Sequence, residues 1–261
     1  LKIITKSKNL SIIAGLLIVF TMSCKDKDTT LPSCTGIEFE YTGADGPDHW
    51  KDLCIDYVPC GGQSQSPVNI TGITEDATLP EIPQSYVSSA IHVVNKGHTI
   101  QLNYDAGSSI TVNGLVYNLL QFHTHTPSEH NVTGIAYPLE LHFVHKNDAT
   151  GNLAVMGVFV KEGAANPIFA EYIDHLPTVK DSTYNVATSF NASSLFPADK
   201  DYFTYAGSLT TPPCSEIVTW IVMEHPIEAS LEQIEAFEAI EHENNRPLQS
   251  LNGRIIKHYK N

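Results

Sequence analysis

The chain has 261 residues, enough for one large domain with a substantial core. Its 29 acidic against 15 basic residues give a formal charge of −14, which argues against nucleic acid as a partner and against attraction to anionic lipid. With 42% hydrophobic and 17% charged residues the composition is ordinary for a globular protein, so function has to be read from local pattern.

The chain opens on a leader. Lys2, Lys6 and Lys8 form a basic start, and residues 10–22 form an apolar run too short to span a bilayer comfortably. Ser23-Cys24 and a polar stretch follow, a pattern that resembles a bacterial lipoprotein signal. On that reading residues 1–23 are removed, Cys24 is lipidated, residues 24–36 are a polar tether and residues 37–261 are the domain. Thr21 departs from the aliphatic residue usual in such signals, and a secretory signal cut near Ser23 is the alternative. Without Cys24 an even number of cysteines remains: Cys34, Cys54, Cys60 and Cys214. They suggest two disulfides, in one of three pairings, and an oxidising compartment; free buried thiols are the alternative.

Next comes an aromatic, turn-rich segment, residues 39–50, and a loop over 60–70. Period-2 alternation and β-branched or aromatic content predict strands over 91–95, 99–104, 109–112, 116–122, 139–145, 153–161, 217–224 and 254–258. Asn166-Pro167 opens a helix to about residue 175. Ser230 with Gln233 forms a capping box for a second helix, with Leu231, Ile234, Phe237 and Ile240 as its apolar stripe. The expectation is a mainly β single domain on a large twisted, mostly antiparallel central sheet, with a few short peripheral helices.

Residues 121–145 carry the chemistry. His123 and His125, at i and i+2, share one face of a strand, and His142 lies on a second alternating strand with Glu140 and Val144. Two adjacent strands then bring three imidazoles together. Three neutral nitrogen ligands leave one corner of a zinc tetrahedron open, the pattern of a catalytic site. Gln121 and Glu140 share the faces of these histidines and offer acceptors that would fix the rings. On its own, His98 in the turn 95–98 is an ordinary loop histidine. Two hydroxyls before two prolines, Thr210-Thr211-Pro212-Pro213, make a stiff segment suited to a site wall or simply to a turn.

Over residues 41–259 the chain resembles the α-class carbonic anhydrases. The resemblance rests on Gly46-Pro47 with His49-Trp50, Gln65-Ser66-Pro67-Val68, Asn95 to His98 and Gln121-Phe122-His123-Thr124-His125. It continues through Ser128-Glu129-His130, Glu140-Leu141-His142-Phe143-Val144-His145, Leu153-Ala154-Val155 and Gly207-Ser208-Leu209-Thr210-Thr211-Pro212-Pro213. Val218-Thr219-Trp220, Asn244 to Arg246 and Asn252-Gly253-Arg254 complete it.

What the resemblance implies is a zinc-dependent, reversible hydration of carbon dioxide to bicarbonate and a proton, by attack of a zinc-bound hydroxide. His123, His125 and His142 match the Zn2+ ligands; Gln121, Glu140 and Asn244 match the groups that orient them. Thr210 matches the residue that donates to Glu129 and so can only accept from the nucleophile. His98 matches the proton shuttle, with an unperturbed pKa near 6.5 that suits the task. Val144, Val155, Leu209, Val218 and Trp220 match the apolar wall for carbon dioxide, and Thr211 the polar side. Tyr41 and Tyr205 match tyrosines that hold the water chain. Cys60 and Cys214 match the disulfide of exported members, which leaves Cys34 and Cys54 as a second pair.

The implied partners are carbon dioxide and bicarbonate, with no nucleic acid, a membrane only through Cys24, and a monomer or homodimer as the assembly. Periplasm or the outer-membrane or cell surface is the implied location. Lys96 and Gln101 depart from residues common beside the shuttle, and Thr124 from the aromatic usual between the first two ligands. Two rivals predict different outcomes. In a cupin-type barrel, which His123-x-His125-x-x-x-Glu129 also fits, Glu129 would itself be a ligand. A metal-free binding module would lack a full ligand set.

Overall fold

The computed structural model describes residues 31–261. The leader, Cys24 and the first part of the expected tether lie outside the described residues. From residue 31 onward the chain is already attached to the domain. The Ile55 amide donates to the Pro32 carbonyl at 3.0 Å, and Cys34 is bonded to Cys54. Among the described residues no helix is long and apolar enough to cross a membrane.

The fold is mainly β, built on a thirteen-stranded sheet. Its path runs Thr183–Phe190, Ser89–Asn95, Ile100–Asn103, Leu115–His125, Leu139–Lys146, Leu153–Glu162, Val218–Met223, Tyr202–Gly207, Lys257–Tyr259 and Thr74–Glu75. Most neighbours are antiparallel, but Leu153–Glu162 and Val218–Met223 run parallel, as do Lys257–Tyr259 and Thr74–Glu75. Three strands of this path, Thr183–Phe190, Tyr202–Gly207 and the two-residue Thr74–Glu75, were not among those the sequence predicts. Thr183–Phe190 is a polar strand whose alternation is broken by a register shift between Val186 and Ser189.

Alternation along the central strands separates core from site. Leu139, Leu141 and Phe143 enter the main core with Phe122, Met156 and Val158, while Glu140, His142 and Val144 face the other way. All the Leu139–Lys146 strand except Lys146 is buried, as befits a strand packed on both faces.

The predicted helix over 166–175 divides into Pro167–Ala170 and a 3-10 turn, Ile173–His175, with Asn166 capping the first. Leu231–Glu241 is a helix with the predicted capping box. Its stripe is narrower than expected: Ile234 and Phe237 are buried and Leu231 is exposed. The predicted last strand is shorter, Lys257–Tyr259, because the Arg254 guanidinium ties the preceding turn to the Leu251, Ala206, Gln65 and Ser250 carbonyls.

Candidate active site

Strand register builds the floor of the cleft. His123 stands directly opposite His142 on the neighbouring strand, with Gln101 opposite His123 on the other side. The ring centroids of His123, His125 and His142 lie 4.6 to 5.4 Å apart, and one nitrogen from each falls in a group within 4.8 Å of one another.

The opposite nitrogen of each ring is occupied. His123 Nδ1 is 2.9 Å from Gln121 Oε1, His125 Nδ1 is 2.9 Å from the Asn244 carbonyl, and His142 Nε2 is 2.9 Å from Glu140 Oε1. Donation to these oxygens selects the tautomers, leaving Nε2, Nε2 and Nδ1 as lone-pair donors. His125 Nε2 is buried with no hydrogen-bond partner. Burial holds the pKa values of His123 and His125 below 6.5, which favours the neutral, coordinating form. Burial acts on His142 in the same sense, but Glu140 outweighs it and raises that pKa. Three convergent ring nitrogens, one of them a buried orphan, fit a zinc ion.

Glu140 does more than orient His142. It also accepts from the His130 backbone N–H and lies 2.8 Å from His130 Nδ1, while His130 Nε2 is 2.7 Å from the Tyr205 hydroxyl, which donates to Ser66. Although burial opposes it, the two imidazoles hold the Glu140 carboxyl well below the usual range. Gly157 makes room for this carboxylate, since a Cβ there would meet Oε1 at 2.9 Å. His130 carried no expected role, because its partner comes from the next strand. Tyr205 requires a correction: its hydroxyl is buried in this network behind the ligands and does not line the cleft.

Glu129 is fully buried; its Oε1 accepts from the Arg246 N–H at 2.9 Å. Oε2 is turned towards the rings, 3.5 Å from His125 Nε2 and 3.8 Å from His142 Nδ1, and has no hydrogen-bond partner. The expected bond from Thr210 to Glu129 is therefore not among those formed. Thr210 and Thr211 both line the cleft.

The cleft, about 280 Å³, has two unlike walls. Val144, Val155, Leu209 and Trp220 form the apolar one; Val218, expected there, is buried in the cluster behind it. Lys96, His98, Thr99, Gln101 and Gln121 line the other, with Tyr41. His98 is half-buried and stacks on Phe39 at 4.4 Å, and burial lowers its pKa below 6.5. Phe39 was read only as part of an aromatic opening segment. Both expected disulfides are present, Cys34–Cys54 and Cys60–Cys214.

Fold and cleft together place the molecule among enzymes whose reaction centre is a cluster of histidines on a β-sheet. The family model for eukaryotic-type carbonic anhydrases matches residues 45–260, and the chain belongs to that family, the α-carbonic anhydrases. A carbonic anhydrase of Pectobacterium carotovorum is 39% identical over 251 residues, 95% of this chain and 98% of the relative. A solved hyperthermostable carbonic anhydrase from an active hydrothermal vent chimney is 47% identical, with a TM-score of 0.82 over 85% of this chain and 99% of the other. The α-carbonic anhydrase of Thermovibrio ammonificans, solved with the inhibitor sulfanilamide, is 42% identical with a TM-score of 0.82, covering 84% of this chain and 98% of that one. Family and fold support hydration of carbon dioxide as the activity.

Proposed function

We propose that the protein hydrates carbon dioxide reversibly to bicarbonate and a proton, with zinc held by His123, His125 and His142. The observation that carries this reading is the set of three ring nitrogens left free once Gln121, the Asn244 carbonyl and Glu140 have taken the others. Zinc supplies Lewis acidity there, bringing the pKa of a coordinated water to about 7, an effect best known from carbonic anhydrases themselves.

The chain's own groups do the rest. Val144, Val155, Leu209 and Trp220 receive the apolar substrate against the floor, and the Thr210 hydroxyl orients the attacking group. Glu129 Oε2, unpartnered beside the ligands, is the acceptor that fixes that hydroxyl's direction when the two come into bonding distance. Because Glu129 is not part of the three-histidine donor group, a cupin-like ligand role is disfavoured. His98 carries the proton along the polar wall, aided by a pKa below 6.5 that releases it readily near neutral pH.

The test is carbon dioxide hydration followed with a pH indicator on zinc-loaded protein. Wild type is expected to be active, and His98→Ala to lose about tenfold or more of kcat in weak buffer, recovered by added imidazole. An inactive wild type would overturn the activity, and an unchanged kcat the shuttle.

We also propose export to an oxidising compartment, supported by the two disulfides, with Cys24 lipidated. Radiolabelled palmitate fed to expressing bacteria should label the full chain and not Cys24→Ser; equal labelling, or none, would sink the anchor.

A further inference from the structure

Glu241, the last residue of the helix Leu231–Glu241, is an acidic side chain that does not itself line the cleft and is 5% exposed. Its Oε1 does all the bonding. It accepts from the Ile100 backbone N–H at 2.6 Å and from the Thr124 hydroxyl, and lies 3.3 Å from the Thr99 hydroxyl. Thr99 and Ile100 directly follow His98, whereas Thr124 lies between His123 and His125. One oxygen therefore touches both the segment that carries the shuttle and the strand that carries two ligands.

Two other bonds span the same gap. Thr99 Oγ1 donates to the Thr124 carbonyl at 2.6 Å, and Asn244 Nδ2 donates to the His98 carbonyl at 2.7 Å. Thr124 is also the position where this chain departs from the aromatic residue usual between the first two ligands. The buried hydroxyl there donates to the carboxyl of Glu241, so the two polar groups form a matched buried pair.

We propose that Glu241 is a positioning residue for proton transfer, holding the His98 segment in register with the ligand strand. This rests on the reading of His98 as the shuttle. Loss of the acceptor leaves the Ile100 N–H and the Thr124 hydroxyl buried and unpaired, and the turn bearing His98 relaxes away from the strand. Substrate binding and attack, set by the opposite wall and by the ligands, are untouched. Burial pushes the Glu241 pKa up to about 8, so glutamine is a close mimic of its predominant form at neutral pH.

The test compares Glu241→Leu, which removes the acceptor, with Glu241→Gln, which keeps it. In Glu241→Leu, kcat in weak buffer is expected to fall about tenfold, with kcat/KM for carbon dioxide and zinc content unchanged. Amide hydrogen exchange at Ile100 should speed up about tenfold or more in metal-free as well as zinc-loaded protein. Glu241→Gln should restore both. Unchanged kcat and exchange would overturn the proposal, as would an equal fall in kcat and kcat/KM or a loss of zinc, either of which would put the effect on the ligands. If Glu241→Leu does not fold, Thr124→Val, which removes the hydroxyl that the carboxyl receives from the ligand strand, is expected to show the same selective fall in kcat, and its absence would be equally adverse. Wild type and His98→Ala run alongside separate the two readings: if His98→Ala keeps full kcat in weak buffer, the shuttle assignment fails first and this proposal with it.

Discussion

His142→Ala is expected to lose zinc and carbon dioxide hydration together, the latter by at least about a thousandfold, since acidification of water by roughly nine pKa units depends on the metal. The substitution removes one of three donors and also frees Glu140 of its partner at 2.9 Å. A buried carboxylate then keeps only His130, so an uncompensated charge is added to the missing ligand. His142→Gln is the milder comparison, because an amide can still donate to Glu140. Metal content by atomic absorption, measured beside the indicator assay, checks the result. A variant that keeps stoichiometric zinc and its rate would refute the ligand assignment.

Breaking Cys60–Cys214 is expected to have the largest effect on stability. The bond closes a loop of 154 residues, and the chain-entropy relation gives about 5 kcal/mol for that length. For a domain of this size that amounts to a fall in Tm of roughly 10–20 °C. The loss has a direct route to the cleft. The Cys214 N–H donates to the Thr211 carbonyl, and the Cys60 carbonyl accepts from the Arg246 guanidinium, whose own backbone N–H holds Glu129. Thermal melts of Cys60→Ser/Cys214→Ser, and of wild type with and without reductant, measure it. A shift under about 2 °C would contradict the estimate.

The three histidines were legible in the sequence because side-chain direction on a strand repeats every two residues. His123, His125 and His142 needed only the right backbone and a neighbouring strand, and Gln121 and Glu140 followed from the same parity. What depends on chain folding back from far away was not legible. His130 lies in the connection after the ligand strand; Glu140 comes to it from the strand that follows, and Tyr205 from seventy-five residues further on. Glu241 sits in a helix whose other acidic residues face solvent, and nothing in a helical pattern separates one glutamate that docks against Ile100 and Thr124. The strand Tyr202–Gly207 has alternating burial over Phe203, Thr204 and Tyr205 that is too short to stand out before the register with Val218–Met223 is known. Tyr205 shows the cost of transferring a role by resemblance: its position matched, but its hydroxyl is engaged by His130 and Ser66 behind the ligands and not in the cleft.

The unlike sides of the cleft have a consequence for traffic. A nonpolar gas gains nothing from Lys96, Gln101 or Thr99, and a hopping proton finds no carrier along Val144, Val155 or Trp220. On the proposed function, supply and disposal would therefore use separate lanes that meet at the imidazole floor.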